Sequence, residues 1–117
     1  MGKHNETGFR GERMAEDYLA SKGFQILHRN WRSSHRELDL IALDGDELVF
    51  VEIKTRSGLN YGFPEEAVSA AKQANLRAAA EDFLEQFPDY TTARFDVISI
   101  LLQGGRLQEL RHLRDAF

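Results

Sequence analysis

The sequence contains no cysteine, which excludes a disulfide framework, a zinc site built from thiolates and a cysteine nucleophile. It has no apolar run of membrane-spanning length, and its first residues lack the apolar stretch of a signal peptide. A phosphate-binding glycine loop and a serine-centred nucleophile elbow are also absent. We therefore expect a cytoplasmic protein that does not bind a membrane.

Positive charge is not in excess, since 15 lysine and arginine residues stand against 19 aspartate and glutamate residues, for a net charge of −4. This balance argues against general affinity for nucleic acid, but it allows a local basic surface around an acidic metal site. The 117 residues are 42% apolar and 29% charged, which is typical of one globular domain spanning 1–117. The four histidines show no helical metal-ligand spacing.

Hydrophobic periodicity predicts an α/β fold with a mixed sheet flanked by helices. The order is a helix, three strands, a second helix that begins at a proline followed by acids, and one or two further strands. The predicted elements are a helix over 7–22, strands over 24–31, 37–43 and 48–54, a loop over 55–63, a helix over 64–86, and strands over 94–102 and 106–113.

The centre of the pattern is a predicted β-hairpin. Two apolar runs, over 37–43 and 48–54, flank a short acidic break that contains a glycine. A two-residue turn over 45–46 and a four-residue loop over 44–47 give the same strand pairing. Side chains alternate along a strand, so the charged residues of each strand share one face. The opposite face of the second strand is expected to carry Leu38, Leu40 and Ala42.

This pairing brings two carboxylates together. Asp39 is expected opposite Glu52, and Glu37 opposite Lys54, with directly opposed Cβ atoms about 4.5–5.5 Å apart. Two carboxylates at that distance repel each other unless a proton or a cation lies between them. A slip of one residue in the pairing would break the arrangement.

The acid pair has two interpretations. Carboxylate oxygens suit Mg²⁺ or Mn²⁺, and Lys54 offers a positive charge that could hold a nucleophilic water or a phosphate oxygen. Such a group fits metal-assisted hydrolysis of a phosphodiester. The alternative is an exposed hairpin end with weak ion pairs, such as Glu37 with Lys54. That alternative leaves the repulsion between Asp39 and Glu52 uncompensated.

Each predicted helix carries one charged residue beside or within its apolar stripe. Glu12 borders the stripe of the first helix, either as a functional acid or as a first-turn acid favoured by the helix dipole. Lys72 falls within the stripe of the second helix. It is either a lysine whose stem covers apolar surface or a second cation that reaches a metal or phosphate.

Several residues are candidates for contact with a nucleic acid. Trp31 stands among cations and could stack on an unpaired base, although a core tryptophan at a strand end explains it equally. The candidates are Arg10, Arg13, Arg29, Trp31, Arg32, His35, Arg36 and Arg56.

The pattern Asp39, then Glu52-Ile53-Lys54, resembles the signature of PD-(D/E)XK nucleases, although Leu38 stands where that signature has proline. Further motifs occur in order along the chain: Gly11-Glu12, Asn30-Trp31-Arg32, Glu37 to Ile41, Val49 to Arg56, Lys72, and Arg94 to Val97. Together they resemble the YraN-like family of small bacterial proteins, which are regarded as predicted endonucleases. That family is similar to archaeal Holliday junction resolvases, and the resemblance covers about Gly8 to Ile100.

The resemblance implies a restriction-endonuclease-like α-β-β-β-α-β core and a site of defined roles. Asp39 and Glu52 would bind the metal with the Ile53 carbonyl, and Lys54 would position or activate the attacking water. Glu12 would be the acid of the first helix, and Lys72 the polar residue of the next one. The expected nucleic-acid contacts are Arg10, Arg13, Arg32, Arg36 and Arg56.

By this resemblance we expect a Mg²⁺- or Mn²⁺-dependent DNA endonuclease that acts on branched or structured DNA, and a homodimer by analogy with the resolvases. A second hypothesis is a non-catalytic adaptor that keeps the nuclease fold and binds nucleic acid or a protein. A third is a nuclease that is active only within a larger DNA-processing complex.

Overall fold

The computed structural model describes residues 6–34, 36–57 and 68–117, with side chains of the first helix described from Arg10 onward. Two helices and five strands form in the order α-β-β-β-α-β-β, which confirms the predicted core and its fifth strand. The elements are α1 (Glu6–Ser21), β1 (Gln25–Ser33), β2 (Arg36–Asp44), β3 (Glu47–Ser57), α2 (Ala70–Gln86), β4 (Ala93–Gln103) and β5 (Arg106–Leu113). Neither described helix is long and apolar enough to cross a membrane.

The strands form one mixed sheet in the spatial order β1-β2-β3-β4-β5. Neighbours pair antiparallel except β3 and β4, which are parallel. Parallel neighbours need a crossover connection, and the segment containing α2 supplies it. Helix α1 packs on one face of the sheet and α2 on the other, so the prediction of a mixed sheet flanked by helices is confirmed.

Strand β3 lies at the centre of the sheet and is buried on both faces. Val49 and Val51 pack on the α1 side, whereas Leu48 and Phe50 pack on the α2 side. All four are at most 2% exposed, which explains why the sequence of this strand is apolar on both faces. The charged residues of β3 lie outside this apolar stretch: Glu47 precedes it, and Glu52, Lys54 and Arg56 follow it.

The start of α2 differs from the prediction. The helix begins at Ala70, and the Ser69 side chain accepts a hydrogen bond from the Lys72 amide at 3.1 Å. Residues 64–67 lie outside the described part of the chain, but Val68 and Ser69 are not helical, so a continuous helix over 64–86 is wrong. A serine satisfies an otherwise unpaired amide when it caps a helix, and this outweighs a proline signal further upstream. The predicted end near residue 86 is confirmed.

The third strand is longer than predicted. Residues 55–57 were expected in a loop, but β3 continues to Ser57, which pairs with Leu102 of β4. Parallel pairing with a long neighbouring strand supplies hydrogen bonds that the local sequence does not indicate. The rest of the predicted loop lies outside the described residues.

The predicted hairpin pairing is confirmed over five pairs, from Asp44 opposite Glu47 to Leu40 opposite Val51. Leu38 is an exception to the predicted faces, because it packs on the α2 side while Leu40 packs on the α1 side. The alternation is interrupted where β2 leaves its pairing with β3. Opposite Leu38 on β1 is Trp31, which also packs on the α2 side.

A buried polar cluster lies at the end of the sheet that contains the β2–β3 turn. Asp96 is fully buried and accepts hydrogen bonds from Arg94 at 2.9 and 3.1 Å and from the Asp115 amide at 3.0 Å. Its Oδ2 also lies 2.7 Å from Nε2 of His112. Burial by itself would raise the pKa of Asp96, but hydrogen bonds from His112, Arg94 and Asp115 hold that pKa below its ordinary value.

The cluster reaches the hairpin turn and α1. Arg94 lies 3.0 Å from Asp44 and 2.9 Å from Glu47, and Nδ1 of His112 lies 3.0 Å from the Tyr18 hydroxyl. Because the Asp96 carboxylate can only accept, Nε2 of a neutral His112 carries the proton, and its Nδ1 accepts from tyrosine. Residues distant in sequence thereby fix the sheet to the helix.

Helix α1 approaches β3 closely at Gly11. A Cβ atom added there would overlap the Thr55 side chain, including its Oγ1 and Cγ2 atoms. Only glycine allows the first turns of α1 to lie against the end of β3. This approach sets the position of the neighbouring Glu12.

We expect Asp96→Ala to lower the free energy of unfolding by about 3–5 kcal/mol, because it removes the buried carboxylate that Arg94 and His112 both contact and leaves Arg94 only its partners at the hairpin turn. Urea denaturation measures the loss. The matched control is Glu109→Ala, which removes an exposed ion pair with Arg111 and should change stability by about 0.5 kcal/mol or less. The contribution of Asp96 is present above its ordinary pKa of 3.8 and is lost as the pH falls. Equal losses in both variants would contradict the structural role of the cluster.

Gly11→Ala separates helix propensity from packing. Alanine favours a helix over glycine by about 1 kcal/mol, whereas overpacking against Thr55 costs about 1–3 kcal/mol. We expect net destabilisation by thermal and urea unfolding, with partial recovery in the Gly11→Ala, Thr55→Ala double variant relative to the sum of the single changes. A stabilised Gly11→Ala variant would show that the close approach is absent.

Candidate functional site

The site begins where β2 and β3 separate. The last backbone pair is Leu40 with Val51 among the described residues, and Asp39 follows directly. Its Oδ2 atom accepts a hydrogen bond of 3.0 Å from the Ile53 amide. A side-chain carboxylate thus bonds to a β3 amide just beyond the end of the backbone ladder. This bond fixes Asp39 in place at the edge of the core.

Glu52 is the buried acid of the site, with only 6% of its side chain exposed. Its Oε2 atom lies 3.2 Å from Nζ of Lys72 and 3.6 Å from Nζ of Lys54. Lys54 lies two residues along the same strand, on the same face as expected, while Lys72 reaches across from α2. The structure therefore brings together four of the predicted residues, from two strands and one helix.

Asp39 and Glu52 interact through their carboxyl groups, which share a hydrogen bond. Burial and the charge of Glu52 raise the pKa of Asp39 to about 7, although the hydrogen bond from the Ile53 amide opposes this shift. The charge of Glu12 makes a smaller contribution to the same rise in the pKa. Near neutral pH Asp39 is therefore partly protonated, and its proton lies where a cation would also relieve the repulsion.

Glu12 lies on α1, outside the pocket that Asp39 and Glu52 line. Its charge acts on Asp39, but its side chain lines a separate, more open pocket of about 450 Å³ beside α1 and β1. Arg29 and Glu16 form a 2.8 Å ion pair within that pocket. The structure thus places Glu12 in electrostatic contact with the acid pair rather than in the pocket that the pair lines.

The main pocket lies between α2 and the start of β2 and has a volume of about 230 Å³. Sequence reasoning missed Asn75, which follows Lys72 by three residues on the same face of α2. The spacing of three residues from Lys72 was the signal in the sequence that could have identified Asn75. The pocket is lined by Arg36, Glu37, Asp39, Glu52, Lys72, Asn75 and Leu76.

The predicted nucleic-acid contacts are dispersed. Arg10 donates a hydrogen bond of 2.6 Å to the Gly105 carbonyl in the β4–β5 turn. Arg32 is exposed and lies 3.8 Å from Glu37. Arg13 is exposed and lines the α1 pocket, and Arg56 is half-buried at the end of β3. Only Arg36 of this predicted group lines the pocket of the acid pair.

Trp31 packs edge-to-face on Phe83 with ring centroids 5.3 Å apart, and it belongs to the apolar packing on the α2 side. This contact favours the interpretation as a core tryptophan over the stacking interpretation. His35 lies outside the described residues.

The donor set limits which cation the site could take. Within the described residues no group of three or more His, Cys, Asp or Glu side chains has metal-binding geometry. A closed zinc site is therefore not formed by these residues. Two carboxylates are enough for Mg²⁺, which keeps several of its waters and uses one or two protein carboxylates. The contact between Asp39 and Glu52 fits such an ion.

The comparisons with known proteins assign a family. The model of the uncharacterised protein family UPF0102 matches residues 11–100. A UPF0102 protein of Rhodococcus opacus is 48% identical over 118 residues, covering 100% of both chains. One of Bacteroides thetaiotaomicron is 41% identical over 100% of this chain and 96% of its own, and one of Syntrophomonas wolfei is 42% identical over 97% and 99%. The chain therefore belongs to the UPF0102 family, the YraN-like family that its motifs indicated.

Proposed function

We propose that the protein is a metal-dependent DNA endonuclease of the PD-(D/E)XK type, which hydrolyses phosphodiester bonds in branched or otherwise structured DNA. The observation that carries the proposal is the contact between the half-buried Asp39 and the buried Glu52, with Lys54 and Lys72 both within 3.6 Å of the same glutamate oxygen. Two acids and two cations, the groups that metal-assisted cleavage of a phosphodiester can use, thus lie together where α2 covers the end of the β2–β3 ladder.

The energetic cost of this arrangement supports a functional role. Two carboxyl groups buried in contact destabilise the fold, and apolar residues of similar size would remove that cost. The pair is nevertheless held by a backbone hydrogen bond to Asp39 and by ion pairs to Glu52. Strongly raised pKa values in a cleft are typical of catalytic or ligand-binding carboxylates.

Asp39 and Glu52 would hold Mg²⁺ or Mn²⁺, which would lower the pKa of a bound water and stabilise negative charge on the phosphate. The Ile53 amide keeps the Asp39 carboxylate aimed at its partner. Lys54, with 28% of its side chain exposed, holds the attacking water or a phosphate oxygen. The more exposed Lys72 supplies a second positive charge to the phosphate.

The DNA-binding part of the proposal rests on local charge. Arg13, Arg32 and Arg56 are at least partly exposed but lie outside the pocket of the acid pair, and would contact the DNA backbone away from the cleaved bond. The net charge of −4 predicts weak binding without these local contacts. A homodimer, which would place two sites on the two strands of a junction, and a larger DNA-processing complex are both compatible with this weak binding.

A second candidate function is a non-catalytic adaptor that binds nucleic acid or a protein partner. One observation favours it: Glu52 already has two lysine partners, and the pKa of Asp39 is raised to about 7, so that its carboxyl is partly protonated near neutral pH. The acid pair is therefore compensated in the protein alone. An adaptor would show no metal binding that depends on Asp39 and Glu52.

A cleavage assay tests the proposed activity. Purified protein is incubated with duplex, single-stranded and four-way-junction DNA, with Mg²⁺, with Mn²⁺ or with EDTA. We expect metal-dependent cleavage that falls by about 100-fold or more in Asp39→Asn and Lys54→Met, because each removes stabilisation of the transition state.

The matched control for this assay is Glu109→Gln, an exposed acid of β5 outside the pocket, which should cleave like the wild type. Cleavage that survives both pocket variants would overturn their assignment. Absence of cleavage on every substrate would favour the adaptor.

The raised pKa of Asp39 predicts a pH-dependent stability. The folded protein binds the proton more tightly than the unfolded chain, so the contribution is greatest below the ordinary pKa of 3.8 and is lost as pH rises through about 7. The loss is at most about 4 kcal/mol. Asp39→Asn should therefore be more stable than the wild type at pH 8 in EDTA, as measured by urea unfolding.

The same linkage predicts competition between proton and metal. Mn²⁺ should raise the thermal midpoint of the wild type more at pH 8 than at pH 5.5, because the proton on Asp39 must be displaced at the lower pH. Asp39→Asn and Glu52→Gln should abolish the increase, and Glu109→Gln should retain it. An increase of equal size in all variants would place the metal elsewhere.

A further inference from the structure

We propose that Arg36 forms a phosphate-binding subsite in the pocket beside the acid pair, and that it holds a phosphodiester of the substrate strand through its guanidinium. The inference rests on the proposed function and deepens it, since it names the group that the pocket recognises and the residue that recognises it. Arg36 differs from the other arginines expected to contact DNA, because it lines the pocket of the acid pair and they do not.

The first observation is an unpaired donor. Nε of Arg36 is buried and has no hydrogen-bond partner among the residues that the structure describes. A buried guanidinium donor without a partner is costly, and such groups in native proteins call for a ligand, an ion or water. Arg36 also lines the 230 Å³ pocket together with Asp39 and Glu52.

The second observation is that the acids of the pocket have other partners. Glu37 lies 3.8 Å from the exposed Arg32, and Glu52 is paired with two lysines. Asp39 accepts from the Ile53 amide. None of these pairings involves Arg36, so the guanidinium of this pocket-lining residue is available to bind an anion that enters the pocket.

The chemistry favours a phosphate as that anion. A guanidinium presents a planar fork of donors that matches two oxygens of a phosphate. Lys72 of α2 also lines the pocket, and Asn75 adds an amide about one turn further along α2. A phosphodiester held between Arg36 and Lys72 would lie beside the acid pair, where the proposed cleavage takes place.

The direct test is an NMR titration of ¹⁵N-labelled protein with the thymidine dinucleotide d(TpT), in EDTA so that neither metal nor cleavage is required. The Nε–H resonance of Arg36, assigned by its loss in Arg36→Gln, should shift on addition of d(TpT) and stay unchanged with thymidine, which has no phosphate. The Arg36→Gln variant should bind d(TpT) about 10-fold to 100-fold more weakly, as expected for loss of a charged hydrogen bond.

The matched control is Arg111→Gln, an exposed arginine of β5 paired with Glu109, which should bind d(TpT) like the wild type. Arg36→Met should keep or raise the thermal midpoint of the free protein, since it removes an unpaired buried donor. A lowered midpoint together with unchanged d(TpT) binding would assign Arg36 a structural role and overturn the proposal.

The failure of this inference is distinguishable from the failure of the proposed function. Arg36-dependent d(TpT) binding without cleavage of any DNA would uphold the subsite and overturn the nuclease. Cleavage that requires Asp39 but is unchanged in Arg36→Gln, with no shift of the Nε–H resonance, would uphold the nuclease and overturn the subsite.

Discussion

The hydrogen bond from the Ile53 amide to the Asp39 carboxylate is the interaction on which the site depends. Strands β2 and β3 pair regularly up to Leu40 and Val51, and beyond that point a side chain bonds to the β3 amide. The strands can separate there without leaving that amide unpaired. The bond also holds Asp39 against Glu52, so one contact both ends the ladder and brings the two acids together.

The two buried polar clusters show how similar residues acquire opposite properties. The pKa of Asp96 is lowered, because histidine, arginine and a backbone amide all donate to it. The pKa of Asp39 is raised to about 7, because burial and a second carboxylate outweigh its single backbone donor. The first cluster is internally satisfied and stabilises the fold. The negative charge of the second is only partly offset by Lys54 and Lys72, so that a repulsion remains on Asp39 that a bound cation would relieve, and this difference is what makes it the candidate site.

Much of the fold followed from local patterns, whereas the misassigned parts depend on distant packing. Turn length was sufficient to pair β2 with β3, because a two-residue turn over 45–46 and a four-residue loop over 44–47 give the same register, which the structure has. Alternation and turn length could not show that Leu38 changes side, which depends on Trp31 of the neighbouring strand. The Asp96 cluster escaped prediction for the same reason, since His112 and Asp115 are far from it in sequence. The Ser69 cap was a local signal that the proline upstream obscured.

An acidic protein that acts on DNA has to concentrate its attraction for phosphate in a small region. General attraction is weak at a net charge of −4, so under the proposed function affinity would come from contacts made when the backbone enters the pocket. The cations nearest the acid pair are Lys54, Lys72 and Arg36, and each is held by a different element. Their spacing therefore depends on how α2 and β2 pack on β3. Recognition would then select DNA whose backbone can reach a recessed pocket, which a distorted or branched strand does more easily than a regular duplex.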